Sequence, residues 1–279
     1  MTALPPDCPS DLEEELASRN ATVVRVEPDP PKTYLWLAAP GGQALFAWYS
    51  SEPAHAALVA YEDAARTAIG TEGPLRAPPL LAVGRLWRLE RALKEEPLRG
   101  QAVLDRVVEA AQALSGMELP EPPETLGVER RLAAFRRRLR TLRSPLPTAD
   151  AVRARRVLEA SPLPLVTSHG EFSGRHVLIE DGNPWVVDWE LAAKRPVGYD
   201  LMTLWADLDR DEDRDLLLET SVGALGEERR AELLRLGYAL LVRLIVSALA
   251  EPLAQNRDPE RARALLARLP TARRDALGG

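Results

Sequence analysis

The stretch SHGEFSGRHVLIEDGNPWVVDWE, residues Ser168 to Glu190, limits the fold of this chain more than any other segment. Two apolar runs, HVLIE and PWVVDW, flank Asp181 and Gly182, residues that tolerate the positive φ of a tight turn, so the pattern predicts a hairpin. At the base of that hairpin stand His169, Glu171 and His176 on one side and Asp188 on the other, the last closing an apolar strand. Two of the chain's three histidines lie here. A carboxylate at the end of an apolar strand, facing imidazoles and a second carboxylate, suits a metal or acid–base site better than a core.

The rest of the chain reads as two zones. Ser10 followed by Glu13 is a capping box that opens a short helix. TVVRVE, TYLWLAA and QALFAWYS are strand-like runs separated by PDPPK and PGG. The helix PAHAALVAYEDAARTAI follows, and PPLLAVGRLWRLERAL is another strand pair. From RGQAVLDRVVEAAQAL the periods are helical, interrupted by PLVTS and the hairpin, and helices resume at YDLMTLWADL. The expectation is an α+β chain with a small antiparallel-sheet lobe over residues 1–92 and a larger helical lobe over residues 93–279.

A chain of 279 residues, 46% of them hydrophobic, can bury a sizeable core. Its net charge of −6 argues against bulk nucleic-acid binding, and the arginine-rich helix 130–143 reads as a solvated face. The apolar run YALLVRLIVSALA is too short for a membrane span and carries Arg243. A single cysteine, Cys8, and an N-terminus without the positive start and apolar run of a signal peptide point to a reducing, cytoplasmic setting.

The pattern HGEFSGRH, then VVDWE, then YDL resembles the aminoglycoside phosphotransferase and choline kinase-like family, which has a two-lobed protein-kinase-like fold. Its catalytic loop reads His-Gly-Asp, with an Asn five residues after the Asp, then a hairpin and Asp-Trp-Glu. The likeness runs in element order over residues 20–210 and is sharp over 165–205. It implies catalytic-loop positions for His169 and Glu171, metal-ligand positions for Asp188 and His176, and structural ones for Gly170 and Asp200, with Asp200 bracing the loop backbone. Glu62 and Arg175 fall on the cofactor side, and the implied cofactor is ATP with Mg²⁺ or Mn²⁺.

Four departures accompany the resemblance. Glu171 stands for the family's Asp, and His176 for its Asn, which suits Mn²⁺ better than Mg²⁺. The lysine of the third strand is missing, its place falling on Ala47 or Trp48, so Glu62 has no answering cation there and reads as exposed. The first turn, VEPDPPK, offers prolines without N–H donors and carboxylates that repel phosphate. Lys32, one of only three lysines, is the residue placed to reach inward from the next strand.

These departures favour a pseudokinase that binds an unidentified small molecule or a partner protein, with Mg·ATP binding weak or absent. One alternative is an active ATP-dependent small-molecule phosphotransferase with Glu171 at the acceptor hydroxyl and Asp188 on the metal. Another is a metal-dependent hydrolase using His169, Glu171, His176 and Asp188. Against the hydrolase, the histidines lie seven apart on a glycine-containing loop, and GEFSG carries its serine fourth rather than third.

Overall fold

Alternation of side chains organises the N-terminal region, in which five antiparallel strands lie in the order β1-β2-β3-β5-β4, with register shifts at Val23/Arg25 and Leu80/Ala82. They are β1 (Thr22–Asp29), β2 (Lys32–Ala39), β3 (Gln43–Ser50), β4 (Leu80–Val83) and β5 (Trp87–Arg91). Successive residues of a strand point to opposite faces. Leu35, Leu37, Leu45, Ala47, Tyr49 and Leu89 share one face and are buried against Leu12 and Leu16 of α1 (Ser10–Ser18). Lys32, Tyr34, Phe46, Trp48, Arg88 and Glu90 share the other face, where contacts run to α2 (Ala56–Ile69) and to the C-terminal region.

The structure is a computed structural model and describes residues 2–29, 31–121, 123, 146–250 and 259–278; the arginine-rich segment 130–143 lies outside the described residues. The C-terminal region is helical, with α3 (Gln101–Ser115), α4 (Thr148–Glu159), α5 (Tyr199–Asp207), α6 (Asp211–Leu225), α7 (Arg230–Ala250) and α8 (Pro259–Leu277). Two small sheets interrupt the helices, β7 (Val177–Glu180) with β8 (Asn183–Val186), and β6 (Leu165–Ser168) with β9 (Ala193–Pro196). The chain is therefore α+β, with the antiparallel sheet first and the helices after it, as its patterning implies. Among the described residues no helix is long and apolar enough to cross a membrane.

The β7–β8 hairpin forms as the Asp-Gly pair requires. Asp181 and Gly182 have φ of 51° and 67°, and Glu180 pairs with Asn183. Arg91 at the end of β5 donates to both oxygens of Glu180, at 3.0 and 2.6 Å, and the Glu96 N–H donates to Ile179 O, tying the connector after the large sheet to this hairpin.

Two expectations need correction, and one strand has no local signal. Ser10 does not cap α1; Pro9 occupies the N-cap position, so Ser10 is already inside the first turn and no side chain caps the end. The strand β9 is unannounced by its residues, Ala-Lys-Arg-Pro, and owes its extended state to pairing with β6. Asp188 does not end a strand, because β8 stops at Val186. The chain instead turns at Asp188 through φ 65° and ψ 63° into a 3-10 turn at Trp189–Leu191.

Candidate active site

The loop between β6 and β7 is held from behind by Asp200, in the first turn of α5. Its carboxylate accepts from Ser168 Oγ at 2.7 Å, from the His169 N–H at 2.8 Å and from the Gly170 N–H at 3.0 Å. Burial pushes this carboxyl above its ordinary pKa, and the three donors pull the other way. Gly170 has φ 84°, and a Cβ there would meet Leu191 O at 2.4 Å. Gly170→Ala is expected to cost about 3 kcal/mol through a strained backbone and overlap, read as a lower denaturant midpoint.

His169 is fully buried, and burial drives its pKa down to about 3, so the ring is neutral. Nε2 lies 2.9 Å from Val187 O and donates to it, while Nδ1 accepts from the Glu171 N–H at 3.4 Å. Both nitrogens are committed to backbone partners. Edge contact with the Trp189 ring, 4.7 Å between centroids, holds the plane of the imidazole.

Glu171 is half-buried, and its carbonyl receives the Ser173 N–H and His176 Nδ1, both at 2.8 Å. That bond turns His176 Nε2 toward Asp188, 3.5 Å from Oδ2. Burial and then the neighbouring Glu190 raise the Asp188 carboxyl pKa, with Glu171 adding to the same effect from the loop side. The structure thus brings Glu171, His176 and Asp188 to one place, whereas Arg175 is exposed on the outer part of the loop.

The N-terminal sheet closes the site from above. Of the two candidate positions for the absent lysine, Ala47 points into the outer core and Trp48 points inward. Glu62 is not exposed, contrary to its sequence reading; it is buried on α2 and forms an ion pair with Arg88, which stands opposite Trp48 on β5. Burial raises the Glu62 carboxyl pKa and Arg88 opposes the rise. Lys32 does reach inward. Its Nζ lies 2.7 Å from Glu190 Oε2, 4.0 Å from Asp188 Oδ1 and 4.8 Å from the centroid of the Trp48 ring.

Sequence reasoning missed Arg88 and Glu190. A signal existed for each: Arg88 and Glu90 alternate with Trp87 and Leu89, placing two charges on the inner face, and Glu190 lies two residues beyond Asp188 across a single turn. Carboxylate oxygens of Glu62, Asp188 and Glu190 lie within 4.8 Å of one another. A hard divalent cation suits such oxygens, and the His176 nitrogen on the far side of Asp188 favours an ion that also accepts imidazole.

Known proteins share this architecture. A thermostable mutant of the aminoglycoside phosphotransferase APH(4)-Ia, solved with AMP-PNP and hygromycin B, matches with a TM-score of 0.68 at 15% identity, over 97% of this chain and 100% of that one. A choline/ethanolamine kinase family protein from Mesorhizobium loti matches at 0.62 and 18% identity, covering 95% and 94%. A Plasmodium vivax ethanolamine kinase matches at 0.62 and 9% identity, covering 94% and 85%. These likenesses establish the two-lobed kinase-like fold. No curated protein sequence matches the chain significantly. Residues 29–234 match the profile of the phosphotransferase enzyme family, and by that match over most of its length the chain belongs to this family.

Proposed function

We propose that the chain is an ATP-dependent phosphotransferase acting on a hydroxyl of a small molecule, and that it works better with Mn²⁺ than with Mg²⁺. The observation that carries this reading is the approach of Asp188, which follows β8, to His176 and Glu171 on the loop braced by Asp200. When bound, the metal nucleotide supplies the phosphoryl group and the charge that screens it. Glu171 takes the proton of the acceptor hydroxyl as its oxygen bonds to the γ-phosphorus and the bond to the ADP oxygen breaks. Asp188 and His176 would hold the ion. His169, Gly170 and Asp200 keep the loop in register and do not touch the reacting atoms.

A test is ATP-dependent phosphorylation across a panel of amino-alcohols and aminoglycosides, with each metal in turn. Turnover is expected to be higher with Mn²⁺, and His176→Asn is expected to reverse the preference toward Mg²⁺, because an amide oxygen replaces the imidazole nitrogen. A second reading, a pseudokinase that binds a ligand without turning it over, is favoured by the β1–β2 connection. There β1 and β2 pair down to Asp29 and Lys32, and Pro28 and Pro31 offer no N–H to phosphate. Nucleotide binding with no turnover on any acceptor and either metal selects that reading.

A further inference from the structure

We propose that Lys32, delivered from β2 across the ring of Trp48, is the phosphate-contacting cation of this protein, and that the two tasks of one missing lysine are divided between Lys32 and Arg88. The proposal rests on the nucleotide-dependent reading above and names the residue that meets the phosphates.

The division follows from the sheet. Arg88 stands directly opposite Trp48 on β5, and Lys32 stands diagonally across on β2, opposite Ser50. Diagonal neighbours on one face of an antiparallel pair lie within reach of long side chains. The Trp48 ring is therefore flanked by two cations, the Arg88 guanidinium at 5.3 Å and the Lys32 ammonium at 4.8 Å from its centroid. Aromatic faces attract such charges, so Trp48 positions both. Arg88 turns to Glu62 on α2 and donates to Val59 O at 3.0 Å, which occupies it in latching the helix. Lys32 pairs with Glu190 and lies beside Asp188, in the same acidic cluster.

The electrostatics give Lys32 its task. Glu171, Asp188 and Glu190 gather negative charge where a polyphosphate has to sit, and Glu62 is already paired. Lys32 Nζ lies 2.7 Å from Glu190 Oε2 and 4.0 Å from Asp188 Oδ1, which sets a positive charge among these carboxylates. Without Lys32 the cleft repels an anion even with a divalent ion present; with it, the charges on the protein side and on the ion are balanced. Lysine serves as a flexible point charge, and its bond to Glu190 is one that a phosphate oxygen exchanges with on entry.

The test is binding to the full-length chain, measured by calorimetry with ATP and Mn²⁺ and separately with adenosine. Lys32→Met is expected to weaken ATP by roughly 10- to 100-fold, the value of one charge-assisted hydrogen bond, and to leave adenosine binding nearly unchanged. Lys32→Arg is expected to retain most of the ATP affinity. Equal loss of ATP and adenosine affinity in Lys32→Met would show a structural role and overturn the proposal, as would unchanged ATP affinity; in both cases nucleotide binding by the wild type leaves the proposed function standing. Failure of the wild type to bind ATP with either metal overturns both.

Discussion

On the proposed phosphotransferase reading, Asp188→Asn is expected to lower phosphoryl transfer by roughly 10³-fold and to leave the fold intact, the scale for removing a charged group placed to act on the reacting phosphates. The carboxylate is flanked on both oxygens, by Lys32 at 4.0 Å and His176 at 3.5 Å. Any divalent ion in this cleft takes up the same charge. Asparagine is nearly isosteric and adopts the left-handed backbone that position 188 requires, φ 65°, more easily than most residues. The folded-state pKa of Asp188 is raised by burial, so its ionised form opposes folding. Its favourable contribution is present below the unfolded pKa and is lost as pH rises through the folded value. The variant is therefore expected to melt no lower than the wild type at pH 7, with any gain shrinking on acidification. Glu171→Gln, which keeps size and loses the base, is expected to lower turnover by about 10²- to 10⁴-fold. Melting curves beside steady-state rates check both; a matching fall in stability, or turnover indifferent to Glu171→Gln, contradicts the assigned roles.

Arg88→Met is the substitution with the largest expected effect on stability. Glu62 and Arg88 are both buried, and removing one partner leaves the other charge uncompensated, at about 3–5 kcal/mol. The double variant Glu62→Gln, Arg88→Met is expected to recover part of that cost, since removing both charges of the pair leaves neither one orphaned. A urea-denaturation cycle on the four proteins reads the coupling. If Arg88→Met alone costs under about 1 kcal/mol, the ion pair does not hold α2 to the sheet.

Local patterning carried much of this architecture. The Asp-Gly turn, the alternation in β2, β3 and β5, and the polar residues before and after the hairpin are properties of contiguous residues, and each appears in the structure where its local chemistry puts it. What was hidden depends on pairing between distant segments. Arg88 meets Glu62 because β5 lies beside β3, an order that no local signal in β5 states. Lys32 reaches Asp188 and Glu190 from 156 and 158 residues away in sequence, across a sheet face whose direction is fixed only when Leu35 and Leu37 bury against α1. The left-handed turn at Asp188 is likewise set by the 3-10 turn that follows it and by the packing of Trp189, which is fully buried. Ser10 misled because a capping box depends on where the helix starts, and Pro9 moved that start by one residue.

Calorimetric titration of ATP into the full-length chain, in Mn²⁺ and again in Mg²⁺, with wild type and Asp188→Asn side by side, tests the central claim most directly. The account predicts saturable one-site binding to the wild type, tighter with Mn²⁺, and loss of the metal preference in Asp188→Asn. No binding with either metal, or binding of equal strength and equal metal preference in the two proteins, would contradict it.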